Sequence, residues 1–263
     1  MDLGLSGKTV IITGGSSNIG RGILLAFARQ GSNIVNADID ESQGRKVVEH
    51  ANALGASAVY VKADVTVWDS ANSMVEAALQ RFGKIDVLVN NVGMARHQGP
   101  FAEKPREECE LEVRLNFWSV LNCTRAVCDH MIERNYGKIV NIGSGAGLVG
   151  AANAAIYSAS KAAVIALSKA LSKELGRYGI NINVVCPGWI VPQSLDDVGE
   201  MSFWSRGRDA YPDDVLRKIV KATPIGRLGN AQDIGHISVF LASDCASYIT
   251  GQSISVDGGL TMS

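Results

Sequence analysis

At 263 residues, 46% of them hydrophobic, the chain has enough apolar material for one large core, which predicts a single domain over residues 1–263. Its 25 basic and 26 acidic residues leave a net charge of −1, too little field to gather nucleic acid or an anionic membrane, so neither is an expected partner. No apolar run approaches the ~18 residues of a membrane span, and the first residues lack the charged start and apolar run of a signal peptide, so the expected location is cytoplasmic.

Residues 9–13 are a short β-branched run that reads as a strand, followed by the small-residue turn Gly14-Gly15-Ser16-Ser17-Asn18-Ile19-Gly20 and a helical pattern from Ile23. Strand, glycine turn and helix is the order needed to set backbone N–H groups and the positive end of a helix dipole against a pyrophosphate. Alone, such a turn is as often a plain tight turn. Residues 33–37 read as a second strand with Asp38 at its end, where a carboxylate accepts bonds from the adenosine ribose hydroxyls and repels a 2′-phosphate, favouring NAD over NADP. The competing reading of Asp38 is a turn or N-cap residue.

A third strand over residues 58–61 leads to Asp64 and Val65, and Trp68 to Phe82 is an amphipathic helix. Residues 85–89 form a fourth strand running into Asn90-Asn91-Val92-Gly93, and one long helical region covers residues 106–134, including Asn116. After a fifth strand over residues 138–142, Ser144 stands at a strand's carboxyl end. Tyr157 and Lys161 follow four residues apart in a helix-forming segment, so their side chains share one helix face. A phenol of pKa about 10 is a poor acid or base at neutral pH, but a neighbouring ammonium stabilises the phenolate and lowers that value. If the loop folds back, Ser144 bonds the oxygen on which charge changes. Taken alone, the pair reads first as an exposed Tyr and Lys on an ordinary helix; the rest of the chain changes that. Strands over residues 181–186, ended by Pro187-Gly188, and 254–256 complete the pattern. This alternation predicts a doubly wound, seven-stranded parallel sheet with helices on both faces and ligands beyond the strands' carboxyl ends.

The cysteines, Cys109, Cys123, Cys128, Cys186 and Cys245, form no C-x-x-C pair and read as buried free thiols. His50, His97, His130 and His236 are too scattered for a metal site.

With these motifs in hand, the chain resembles the classical short-chain dehydrogenase/reductase family, a single-domain Rossmann fold, over essentially its whole length. The family's T-G-x-x-x-G-x-G pattern falls on Thr13, Gly14, Asn18 and Gly20; its N-N-A-G motif falls on Asn90 to Gly93; and its Ser, Tyr and Lys fall on Ser144, Tyr157 and Lys161. The resemblance implies that Asn116 completes a catalytic tetrad. It also implies cofactor contacts from Gly14, Ser17, Asn18, Ile19, Gly20, Asn91, Gly93, Tyr157 and Lys161, with Asp64 and Val65 flanking the adenine and Pro187, Gly188 and Ile190 near the nicotinamide. Three positions depart from the pattern: Asn18 replaces a glycine, Val92 replaces an alanine, and Pro192 stands where many members have a Thr, leaving Gln193 or Ser194 to substitute.

The expected function is an NAD-dependent dehydrogenase acting on a small secondary alcohol. A 3-oxoacyl carrier-protein reductase using NADPH is the alternative, opposed by Asp38, and a non-catalytic dinucleotide-sensing regulator is the remote one, opposed by the retained Tyr and Lys. Family members place a mobile lid at residues 189–223. Here Trp189, Met201, Phe203, Trp204 and Tyr211 suit a hydrophobic or cyclic substrate or an oligomer contact. Arg206, Arg208, Arg217, Lys218 and Lys221, like Arg96 and His97, either meet an anionic group such as that of coenzyme A or line a solvated face. Ala162, Ala163, Ala166 and Ala170 exceed what the sheet needs, and the resemblance implies a homotetramer of D₂ symmetry.

Overall fold

A computed structural model describes residues 2–96, 98–202, 204–205 and 212–262. The β-branched runs form β1 (Thr9–Thr13), β2 (Asn33–Asp38), β3 (Ser57–Lys62), β4 (Val87–Asn90), β5 (Gly137–Ile142), β6 (Ile180–Pro187) and β7 (Ser253–Val256). All six strand pairings are parallel, in the order β3-β2-β1-β4-β5-β6-β7. The helices are α1 (Asn18–Ala28), α2 (Glu41–Ala53), α3 (Trp68–Phe82), α4 (Arg106–Val113), α5 (Ser119–Arg134), α6 (Gly145–Val149), α7 (Ala155–Leu175), α8 (Asp213–Ala222) and α9 (Ala231–Ala242).

Because successive strand residues face opposite sides, each strand feeds two cores. Val10, Ile12, Val87, Val89, Val140 and Ile142 pack with α1, α2 and α9. On the opposite face, Ile11, Leu88, Ile139 and Ile182 pack with α3, α5 and the end of α7. Each fully buried side chain of this kind, such as Phe27 or Ile139, contributes about 1.5–3 kcal/mol. The result is a rigid slab whose carboxyl edge presents the loops that carry every motif.

Three sequence expectations need correction. The fourth strand begins at Val87 rather than residue 85, because the Ile85 backbone bonds side chains instead of a neighbouring strand: its N–H donates to His130 Nε2 at 3.1 Å and its carbonyl accepts from Arg134 at 2.6 Å. The helical region over residues 106–134 is interrupted by a π turn at Arg114–Trp118, between α4 and α5. All five cysteines are free, but only Cys123 and Cys186 are buried; Cys109 and Cys128 are half-buried and Cys245 is exposed.

Candidate active site

The chain leaves β1 toward β2 and later returns past it to β4, so successive connections diverge between β1 and β4 and open a crevice at their carboxyl ends. Gly14 is anchored there by its N–H to the Ala37 carbonyl at 2.8 Å. Asn91 clamps the other side, donating from Nδ2 to the carbonyls of Thr13 (3.0 Å) and Gly14 (2.9 Å). A Cβ on Gly20 would collide with the Gly14 carbonyl, so only glycine permits this tight turn. Asn18 adopts φ 41°, as the Gly-to-Asn replacement requires, and its Nδ2 donates to the Ile190 carbonyl at 3.3 Å while its buried Oδ1 has no partner among the described residues. Helix α1, which includes Ile19 and Gly20, has no acidic residue in its first turn and no side-chain cap, so its N–H groups and dipole face the crevice uncompensated.

Asp38 ends β2 in a fixed orientation. Its Oδ2 accepts the Ser16 N–H and its Oδ1 the Asp40 N–H, both at 3.0 Å, and the Tyr60 hydroxyl donates to its carbonyl at 2.8 Å. The N-cap of α2 is Asp40, which accepts from Gln43 N–H, so Asp38 is not spent as a cap. Beyond β3, Asp64 holds its own turn through Thr66, and buried Val65 accepts from Asn122 through its carbonyl.

Across the crevice, Ser144 caps α6 by accepting the Ala146 N–H at 3.1 Å. Tyr157 and Lys161 lie one turn apart on α7, with Nζ 5.8 Å from the Tyr157 ring centroid. Lys161 is 2% exposed and donates to the Ile142 carbonyl at 2.8 Å. Burial lowers its pKa to about 8, offset only in part by the Cys186 thiol. Asn116 sits in the π turn, fully buried, with Nδ2 donating to the carbonyls of Met94 and Glu112 at 2.9 Å each, while Oδ1 has no partner among the described residues. A π turn widens the i→i−4 ladder, and here the Asn116 side chain takes up the Glu112 carbonyl. Gly93 separates Asn116 from Lys161: a Cβ there would lie 2.5 Å from Asn116 Oδ1 and 2.8 Å from Lys161 Nζ. The structure thus gathers Asn116, Ser144, Tyr157 and Lys161 at the carboxyl ends of β4, β5 and β6.

Pro187 ends β6 with Gly188 just after it, and Ile190 bridges to Gly229. The segment after them folds back over the glycine turn. Gly199 N–H donates to Ser17 Oγ at 2.7 Å, Gln43 Nε2 to the Asp196 carbonyl at 3.0 Å, and Arg21 pairs with Asp197 at 2.6 Å. None of these latch contacts was legible in the sequence. Pro192 is buried, Gln193 is exposed, and the Ser194 hydroxyl accepts the Asp196 N–H, so each has a settled place in the loop. Trp189 and Trp204 are half-buried and Met201 is exposed; Phe203, Tyr211, Arg206, Arg208 and His97 lie outside the described residues. Arg217, Lys218 and Lys221 occupy the exposed face of α8, with Lys218 paired to Asp214, and Arg96 pairs with Glu108.

A nicotinamide dinucleotide fits these residues: an uncapped positive helix end for its pyrophosphate, an oriented carboxylate for a ribose, and unpartnered amide oxygens on Asn18 and Asn116. Among the described residues there is no group of His, Cys, Asp and Glu able to hold a metal ion, and no helix is long and apolar enough to cross a membrane.

Known proteins resemble the chain over nearly its whole length. A family model described as enoyl-(acyl carrier protein) reductase matches residues 14–261. The oxidoreductase UcpA of Salmonella typhimurium is 36% identical over 259 residues, spanning 98% of this chain and 96% of UcpA. The 3-oxoacyl-[acyl-carrier-protein] reductase FabG of Thermotoga maritima is 33% identical, spanning 98% and 99%. The (2S)-[(R)-hydroxy(phenyl)methyl]succinyl-CoA dehydrogenase subunit BbsD of Thauera aromatica is 35% identical, spanning 99% of both.

Proposed function

The chain belongs to the short-chain dehydrogenase/reductase family, and from that premise we propose that it is an NAD(H)-dependent oxidoreductase interconverting a secondary alcohol and a ketone. The observation that carries this reading is Lys161, an ammonium buried one helical turn from Tyr157 with no carboxylate partner among the described residues. Such a charge stabilises a phenolate more effectively than an exposed lysine would, because little water screens it. In the oxidative direction Tyr157 Oη, as phenolate, takes the hydroxyl proton of the alcohol. Ser144 Oγ donates to the same substrate oxygen and orients it, and the free Oδ1 of Asn116 would hold a water that links Lys161 to solvent for proton relay. When bound, the nicotinamide supplies the hydride acceptor. Gly14, Ser17, Asn18, Ile19 and Gly20 would hold its pyrophosphate, Asp38 the adenosine ribose, Asp64 and Val65 the adenine, and Asn91, Gly93, Pro187, Gly188 and Ile190 the nicotinamide half.

The substrate is a small molecule, either hydrophobic or cyclic or an acyl-CoA thioester; the lid's Trp189 and Met201 support the former and the name of BbsD the latter. We extend the reading to a cytoplasmic homotetramer. Exposed Val113, Trp118, Ala162, Ala166 and Ala170 lie on the adjoining α4, π turn and α7, and five free thiols suit a reducing compartment. An NADPH-dependent 3-oxoacyl carrier-protein reductase is the second reading, favoured by the likeness to FabG and opposed by the oriented Asp38 carboxylate.

The test is a screen of cyclic alcohols, sugar alcohols and 3-hydroxyacyl-CoA thioesters with NAD and NADP. The expected result is NADH formation with one class and a kcat/KM preference for NAD of at least about a hundredfold, from charge repulsion and lost ribose bonds. Comparable rates with both cofactors overturn the cofactor assignment. Cofactor binding without turnover of any class points to a regulator.

A further inference from the structure

The Lys104–Glu112 pair is buried beside the site, with side chains 4% and 0% exposed and Nζ 2.5 Å from Oε2. Replacing a buried ion pair by apolar residues of similar volume is often neutral or stabilising, so stability alone does not account for this one. Its other bonds suggest what it does. Glu112 Oε1 accepts the Arg96 N–H at 2.7 Å, and Lys104 Nζ donates to the Arg96 carbonyl at 2.8 Å. Both backbone groups of one residue are therefore gripped by one ion pair. Two residues before Arg96, the Met94 carbonyl receives Asn116 Nδ2, and Glu112, one turn before Asn116, gives its own carbonyl to the same amide.

We propose that Lys104 and Glu112 are positioning residues that lock the loop after β4 against α4 and thereby aim Asn116 Oδ1 toward the Lys161 ammonium; this rests on the catalytic reading above. Asn116 Oδ1 and Lys161 Nζ flank Gly93, in that same loop. The amide oxygen is the negative end of a dipole on the ammonium's flank. Releasing the loop lets this dipole turn away, so Lys161 holds its proton less well and Tyr157 ionises at higher pH. Besides Tyr157, the titratable group acting on Lys161 among the described residues is the Cys186 thiol, which belongs to β6 and is untouched by such a change.

Two double variants separate positioning from stability. K104M/E112L removes both grips on Arg96 and leaves an apolar filling. K104M/E112Q is equally uncharged, but it keeps an acceptor for the Arg96 N–H and supplies an amide N–H as a donor for the Arg96 carbonyl. Tyrosinate absorbance, taken as the difference between each protein and its Tyr157→Phe derivative, reads Tyr157 alone, and NADH fluorescence reads cofactor binding. Expected are a folded K104M/E112L protein whose Tyr157 ionises about one pH unit or more higher, with NADH affinity within about threefold, and recovery of at least about half the shift in K104M/E112Q. Unshifted Tyr157 in both variants, shifts that follow each variant's Tm, or failure of K104M/E112L to fold would overturn the proposal. A Tyr157 that ionises near the ordinary phenol value in the unsubstituted protein would instead overturn the catalytic reading on which it rests.

Discussion

Strand β5 has a buried lysine at each end, and the two are held in opposite ways. At its start, Lys138 donates to Asn181 Oδ1 at 2.6 Å and lies 3.8 Å from the Asp244 carboxylate. Asp244 also takes the Tyr136 hydroxyl and faces Lys8, closing a compensated network. Burial lowers the Lys138 pKa and Asp244 pulls it back. At the far end, the β5 carbonyl of Ile142 is the hydrogen-bond partner of Lys161, beside an Asn116 oxygen with no partner of its own. A buried cation compensated by a carboxylate belongs to the architecture. One left with a carbonyl costs stability and retains its electrostatic reach for another group, here the Tyr157 phenol.

Methionine at each position sharpens this contrast. Lys161→Met should lower turnover by about three orders of magnitude and yet stabilise the fold at neutral pH. The sign follows from the depressed pKa: with 10.5 unfolded and about 8 folded, the protonated lysine disfavours the native state below about pH 8, and the penalty fades as pH rises toward 10.5. Removing it is worth up to a few kcal/mol at pH 7, seen as a higher Tm whose excess over the unsubstituted protein shrinks in alkali. Lys138→Met should act oppositely, costing about 1–3 kcal/mol by stranding Asn181 and weakening the Asp244 network, with turnover unchanged. Equal loss of stability in both variants would erase the contrast.

The same edge of the sheet carries two smaller expectations. If the proposed, roughly hundredfold NAD preference holds, Asp38→Ala should reduce it to about tenfold or less, mainly by improving use of NADP; an unchanged preference in steady-state kinetics would remove Asp38 from the proposed ribose site. Asp197→Asn should loosen the strap to Arg21, a part-exposed pair worth about 1 kcal/mol, and speed NADH dissociation about fivefold in stopped-flow fluorescence. An unaltered rate would show that the strap does not hold the cofactor.

How far the chain could be read before folding differs along the same lines. The strands were legible because β-branched runs alternate with amphipathic helices, and the Tyr157–Lys161 register because a helix repeats every 3.6 residues. At Asn18 the sequence shows a glycine replaced, and the structure shows φ 41°, which asparagine tolerates better than most residues. By contrast, Lys138 reads only as part of a strand, for nothing local announces Asp244 more than a hundred residues on. Arg21 and Asp197 are likewise joined only by the fold, since in sequence Arg21 reads either as a basic residue in reach of a 2′-phosphate or as a solvated first-turn residue. The π turn at Asn116 escapes because its sequence continues a helical pattern on both sides, and its bonds run to a loop with no periodicity. Polar partners far apart in sequence are set by topology, and composition does not encode them locally.

Tyr157→Phe tests the central claim most directly, because it removes one oxygen and leaves the ring beside Lys161 in place. With the best alcohol from the screen, kcat should fall by roughly three orders of magnitude or more while the NADH dissociation constant stays within about twofold. A variant that kept more than about a tenth of the unsubstituted turnover would contradict the assignment of Tyr157 as the group that takes the substrate proton.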